Sequence, residues 1–572
     1  MVRYAGHIIV GLLLAACASG GGGSSRSGGP GAVIRGIGER AGKVLENDAY
    51  GDSATKLVYL EQGWGPAETL WYYHADQGSV LMPYEVLVNL EQADNQRALI
   101  AAEHLTRFRL LNQHPTPNNP DGLPVGFARH GDRVGLTCAA CHTTQINYRG
   151  TALRIDGGPA LIDVVGLFAA IEAAITATLA DEAKLARFTA KLPGPRRAAA
   201  RETLAQTRAW FVDYAAANQS PTKEGFGRLD AIGRIINQAI RFTSDAKNSL
   251  EIGAPTSFPL LWDAPRHDYV QWTGFAANTG AGSVGRNAGE VVGVFGQVEV
   301  QHYETEEAAK RGYKSTIEGH ALVAMEESLR RLQSPVWPEE VLPAIDRALA
   351  ARGEGLYTQH CASCHARIDR DDPKRAVVAM ITDITKVGTD PTSAQNLVAA
   401  KVPAGVLEGA ISPKGERYGA TISALTLLGD LVTRVLSAQP VAAAQAVVNA
   451  KLHKQEKVAK QGDHREDPND PSVALLAYKA RPLNGAWASA PYLHNGSVPT
   501  LHDLLLPAGQ RPVRFAVGRW EYDPKKVGRV SDGELPFVFD TRLTGNSNAG
   551  HEYGTGLAED ERWALLEYLK TL

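Results

Sequence analysis

Two five-residue stretches, Cys138-Ala-Ala-Cys141-His142 and Cys361-Ala-Ser-Cys364-His365, constrain this chain more than anything else in it. Each is a C-x-x-C-H, the attachment signal of a c-type haem. Two thiols close in sequence add to the two vinyl groups of one porphyrin, and the imidazole that follows falls under the iron as proximal ligand. Four of the five cysteines lie in these pairs. A structural zinc site made from two C-x-x-C halves is the alternative. Such halves usually lie within about twenty residues of each other, and zinc gives no reason for a histidine to follow directly both times. Two covalently bound haem c groups are therefore expected, on Cys138 and Cys141 and on Cys361 and Cys364, with His142 and His365 as iron ligands.

The fifth cysteine, Cys17, ends the N-terminal segment. Arg3 precedes a short apolar run from Ile8 to Ala16, too short for a stable transmembrane span and suited to a signal-peptide core. Leu14-Ala15-Ala16-Cys17 has the form of a bacterial lipobox, in which cleavage leaves Cys17 as the lipidated first residue. An ordinary cleaved signal with a chance cysteine is the other reading, and either one exports the protein. Attachment of c-type haem takes place on the outer side of the bacterial inner membrane, so the two features agree. The expected location is the periplasm or cell envelope, with a lipid anchor on a membrane.

Residues 1–17 are thus read as signal peptide and lipobox, and the Gly/Ser-rich residues 18–32 as a flexible tether. The 572-residue chain is too long for one ordinary core. An N-terminal haem domain over 33–335 and a C-terminal cytochrome c-like haem domain over 336–572 are expected. The expected fold is mainly α, two cytochrome c-like domains with long loops and little sheet. Helical periodicity covers 160–192, 196–217, 314–332 and 338–352. Between Thr256 and Val300 aromatics and glycines dominate, which reads as loop, either winding around a flat cofactor or joining domains. Gly353 and Tyr357 precede Cys361 by eight and four positions, as in the first helix of a class I cytochrome c, where a terminal helix such as 557–572 crosses it. A net charge of −3 supplies no basic field, so no nucleic-acid partner is expected.

Farther on, Trp487-Ala-Ser-Ala-Pro-Tyr492-Leu-His494-Asn-Gly496-Ser-Val-Pro-Thr-Leu501 presents a single histidine in a Pro/Gly frame. With 136–143 and 154–159, this segment resembles the di-haem cytochrome c peroxidase superfamily, most closely its rubber oxygenase-like branch, from about Gly63 to the C-terminus. The resemblance implies that His494 is the distal ligand of the second haem, a six-coordinate electron-transfer centre. His502 is the nearest competitor, and Met380 is a thioether within reach by position. It also implies a first haem with an open, apolar distal face; Phe258, Leu261, Trp262, Trp272, Phe275 and Phe295 are candidates for its lining. Trp262 and Phe275 are the pocket residues singled out, Trp262 also as a tryptophan between the haems. Peroxidases of the superfamily need a polar acid/base group, for which Glu290, Gln297, Glu299 and His302 are candidates. Calcium between the domains is compatible with the superfamily, but no EF-hand-type loop supports it.

The expected function is that of an exported oxidoreductase with one haem reactive toward O2 or peroxide and one electron-transfer haem. Its partners would be a redox protein or a small oxidant, O2 or H2O2. The alternative is a pure electron carrier with both irons six-coordinate. That reading needs a second ligand on the first haem, and His74, His104 and His130 are the nearest upstream imidazoles.

Overall fold

The computed structural model describes residues 33–34, 37–454, 461–463, 467, 470–533 and 537–572. The expected signal peptide, Cys17 and the tether lie outside the described residues. The described chain is a mixed α/β fold, about 40% helix and 15% strand with the strand divided among many small sheets, which corrects the expectation of a mainly α protein with little sheet. The strands escape a periodicity reading because most are two to six residues long and several are buried on both faces, so they lack polar alternation.

The largest sheet shows how this happens. Its strand order is Val33–Ile34, Lys56–Leu60, Thr151–Asp156, Thr143–Tyr148. Thr143 pairs with Asp156 and Tyr148 with Thr151 in an antiparallel hairpin, while Lys56–Leu60 runs parallel to Thr151–Asp156. The two-residue turn Arg149-Gly150 has φ of +47° and +77°, the left-handed pair that a tight hairpin needs. This hairpin starts directly after His142, so the first C-x-x-C-H is welded to the sheet. Residues 154–156 belong to the strand, and the chain turns only at Gly157, with φ +74°.

One helical expectation and one loop expectation change. The 160–192 stretch forms two helices, Val164–Ala180 and Glu182–Lys191, broken at Asp181. That residue leaves helical geometry, and its side chain caps the second helix by accepting from the Ala183 and Lys184 N–H groups. Within the glycine-rich stretch, Gly282–Gly293 is a regular helix rather than a loop. Gly285, Gly289 and Gly293 recur every fourth residue, on one face. A Cβ at Gly285 or Gly289 would lie 3.3–3.4 Å from Val432, and one at Gly293 would lie 2.2 Å from Ile235. Close packing against the helices Ala424–Ser437 and Ala231–Thr243 outweighs the poor intrinsic propensity of glycine.

One apolar core joins Leu57, Tyr72 and Trp262 to Trp337, Tyr357, Trp487 and Leu566. It therefore draws on residues from both sides of the expected boundary at 335/336. The helix Arg347–His360, capped by Asp346, is crossed by the C-terminal helix Glu559–Thr571. A Cβ on Gly353 would stand 2.1 Å from the Ala564 carbonyl oxygen and 2.8 Å from Tyr568 Cβ. Only glycine fits that crossing. Gly355, on the same helix, has nothing within 4 Å. Gly353→Ala is expected to cost about 1–3 kcal/mol through overpacking, whereas Gly355→Ala is expected to add about 0.5–1 kcal/mol from helix propensity. Denaturant midpoints of the two variants check this; equal shifts would contradict it.

Candidate haem site

A cavity of about 780 Å³ runs through the middle of the fold, and both C-x-x-C-H motifs line it. Cys138, Cys141 and His142 stand with Phe258, Glu290 and Phe295 among its lining residues, and so do Cys361, Cys364, His365, His494 and His551. None of the four cysteines is in a disulfide. No group of three or more His, Cys, Asp or Glu that could hold a metal ion occurs among the described residues, so the two motifs do not converge into one zinc site.

The motifs are built alike. In the first, Thr137 caps the one-turn helix Cys138–Cys141 by accepting from the Ala139 N–H, and the His142 N–H donates to the Cys138 carbonyl (3.0 Å). In the second, the helix Arg347–His360 runs into Cys361, and the His365 N–H donates to the Cys361 carbonyl (2.8 Å). A tyrosine hydroxyl donates to each histidine's carbonyl: Tyr72 to His142 (2.8 Å) and Tyr357 to His365 (2.7 Å). Each imidazole is also held through Nδ1, His142 donating to the Pro259 carbonyl (2.8 Å) and His365 to the Arg481 carbonyl (2.7 Å). With Nδ1 carrying the proton, Nε2 keeps its lone pair, which is the tautomer a metal requires.

Electrostatics favour the same state. Burial pulls His142 down to about 4 and lowers His365 as well, so both rings are neutral at physiological pH. Burial also pushes the Cys138 and Cys361 thiols up to about 11, so they are not thiolates. Arg286, Lys479 and Arg481 bring positive charge to the cavity wall, suited to porphyrin carboxylates. Lys479 is pulled down to about 7, first by burial and then by the two arginines. Gln77 Nε2, Ser257 Oγ and Arg481 Nε are buried without a hydrogen-bond partner. Orphaned polar atoms around a cavity this large fit a resident group that supplies partners. The donor set and the wall therefore fit haem c.

His494 lines the cavity from the loop 490–501, where Tyr492 and Val498 bond to each other's backbone and Gly496 has φ +70°. Its ring stacks on Tyr478 at 4.0 Å and meets Trp272 at 6.5 Å, and burial holds it down at about 4. The ring nearest His365 belongs instead to His551, with centroids 6.1 Å apart and planes at 54°. Two imidazoles bonded at about 2 Å on opposite faces of one iron have centres about 6 Å apart. No motif marks His551, which itself sits in the left-handed region (φ +49°) far along the sequence from His365. His502 stacks on Trp563 and is not among the lining residues, and neither is Met380.

Of the apolar candidates, Phe258, Leu261, Trp272, Phe275 and Phe295 line the cavity. Trp262 stands behind its wall, fully buried in the core, with its indole N–H donating to the Asn484 carbonyl (2.9 Å). Among the acid/base candidates Glu290 lines the cavity, while Gln297, Glu299 and His302 are exposed. The Glu290 carboxyl accepts from Gln271 Nε2, and burial, partly offset by Arg286, pushes it up to about 7. Its charge is felt at both Cys138 and Cys141. The upstream imidazoles are engaged elsewhere: His74 with Phe127 and Asn119, His104 with Leu99, His130 with Asp76.

Comparison with known proteins adds to this geometry. A family described as RoxA-like, cytochrome c-like matches residues 477–516, which contain the His494 loop and Arg481. The uncharacterized protein y4iJ of Sinorhizobium fredii is 33% identical over 590 residues, covering 90% of this chain and 93% of its own length. A second uncharacterized protein of the same organism, y4iM, is 30% identical over 254 residues, 40% of this chain and 49% of its own length. The 477–516 match relates the chain to the RoxA-like di-haem cytochromes. A haem cytochrome by that segment and by its cavity, the chain belongs to the family of y4iJ.

Proposed function

We propose that this protein is an exported di-haem oxidoreductase within the di-haem cytochrome c peroxidase superfamily. One haem c on Cys138 and Cys141 would react with O2 or peroxide, and a second on Cys361 and Cys364 would relay electrons from a redox partner. The observation that carries this reading is an asymmetry: His365 has a second imidazole, His551, with ring centres 6.1 Å apart, so that the two could hold one iron between them, while the ring beside His142 is Phe258, edge-on at 6.1 Å. An iron left with one protein ligand can bind a diatomic or peroxide; one with two serves electron transfer. Export and lipid anchoring rest on the Cys17 segment, and the tether would hold the protein at a membrane of the cell envelope.

Bound haem would supply redox chemistry; the chain's own groups set its surroundings. Phe258, Phe295 and their apolar neighbours limit water beside His142. Glu290 can hold or release a proton there near neutral pH, as peroxide chemistry requires. The carrier reading is kept open by one residue, His494. It lines the same cavity with a neutral ring, and as a ligand on the first haem it would leave both irons six-coordinate.

Carbon monoxide added to the dithionite-reduced protein decides between the two. One Soret band is expected to shift; no response would establish the carrier. His551→Ala is expected to open the second haem, so that both bands respond, whereas His494→Ala is expected to leave one responsive band. The reverse pattern would return the second haem's distal position to His494.

Glu290 has a signed pH dependence. Its carboxyl is raised in the fold from an ordinary 4.5 to about 7, so its contribution to stability is complete below about 4.5 and is lost as pH rises through 7. The melting temperature of Glu290→Gln is therefore expected to fall less than the parent's as pH rises from about 4.5 to about 7. A spectral transition of the CO-responsive haem near pH 7 is expected to vanish in the same variant; its persistence would remove Glu290 from the site.

A further inference from the structure

The imidazoles of the two C-x-x-C-H motifs are joined by one continuous run of covalent and hydrogen bonds. His142 Nδ1 donates to the Pro259 carbonyl (2.8 Å). Pro259 is peptide-bonded to Leu260, whose carbonyl accepts from Arg481 Nη1 (2.9 Å). The carbonyl of that same arginine accepts from His365 Nδ1 (2.7 Å). Arg481 thus grips the strap behind the first histidine with its side chain and orients the second histidine with its backbone.

Both ends of this link are rigid. On the strap side, Arg481 Nη2 also donates to the Trp262 carbonyl (2.6 Å). The Leu261 N–H donates to the Gly157 carbonyl (2.9 Å), and the Gly157 N–H donates to the His142 carbonyl (2.9 Å), so the strap is tied to the first motif twice. On the other side, Arg481 directly follows the strand Ala477–Ala480 and precedes Pro482. A planar fork with two parallel donors can hold carbonyls two residues apart, which a single ammonium cannot do in the same way.

We propose that Arg481 couples the two haem sites, so that the potential of each haem depends on the hydrogen bond behind the other's histidine. The inference rests on the two-haem reading above. The strength of an N–H···O=C bond to a ligating imidazole sets that ligand's basicity, and so the electronics of its metal. A shift of the 259–262 strap moves the guanidinium and with it the backbone at residue 481. By linkage, the influence runs equally in both directions. Arg481 is a positioning residue, acting through His142 and His365.

The test measures midpoint potentials of both haems in the holoprotein, its Arg481→Lys variant and its Pro259→Ala variant, by optical redox titration. High-spin and low-spin signals in electron paramagnetic resonance assign the centres. Pro259→Ala keeps the carbonyl but frees the strap, and it carries the test alone should Arg481→Lys fail to fold. Both midpoints are expected to shift in each variant. Both substitutions act on the strap behind His142, so a shift confined to the His142 centre in both variants, or no shift of either centre, would overturn the coupling. Intact mass on the same samples separates the two readings, since fewer than two porphyrins on the parent protein would sink the two-haem reading itself.

Discussion

The hydrogen bonds from the Nδ1 atoms of His142 and His365 to the carbonyls of Pro259 and Arg481 decide what the central cavity can hold. A histidine buried in apolar surroundings without such a bond is free to carry its proton on either nitrogen. Here the proton is fixed at the back of each ring, and the lone pair is left on the cavity side. Burial then keeps both rings neutral. The rest of the fold supplies these two carbonyls and keeps them still. Gly157 brings the 258–262 strap against the first motif, and the strand Ala477–Ala480 delivers residue 481 to the second.

The mixed architecture follows from that demand. A short helix carrying C-x-x-C-H positions two sulfurs and a ring, but it cannot by itself present a carbonyl behind that ring. For the first motif the Pro259 carbonyl comes from the 258–262 strap, tied through Gly157 to the end of the hairpin that begins at Thr143. For the second the Arg481 carbonyl comes from the end of the strand Ala477–Ala480, while the motif itself sits on a helix pair locked by Gly353. Both solutions share the core that joins Leu57, Trp262 and Trp487 to Leu566. Both motifs therefore pack on one core, in addition to the hydrogen-bonded link through Arg481.

What could be read from the amino acids was what local spacing encodes. The two C-x-x-C-H signals, Gly353, Tyr357 and the Pro/Gly frame around His494 each depend on neighbours within a few residues. The strands of the large sheet were hidden because burial on both faces erases alternation. The Arg149-Gly150 turn between two six-residue strands is a readable hairpin signal. Gly285, Gly289 and Gly293 suggested loop because propensity speaks against them. Their four-residue spacing, a packing signal, indicates helix. His551 and the two acceptor carbonyls had no signature at all. The carbonyls are backbone atoms, and His551 meets His365 only through the tertiary fold. Trp262 looked like a pocket residue by type, yet its indole is spent on the core.

The account's central claim is that four sulfurs in one cavity carry two porphyrins. Intact mass spectrometry of the purified mature protein, followed by mapping of peptides that contain Cys138–Cys141 and Cys361–Cys364, tests it most directly. Two haem increments are expected, each on a peptide with both thiols consumed. A protein bearing all four free thiols, or a disulfide within either pair, after expression where c-type haem is attached, would contradict it.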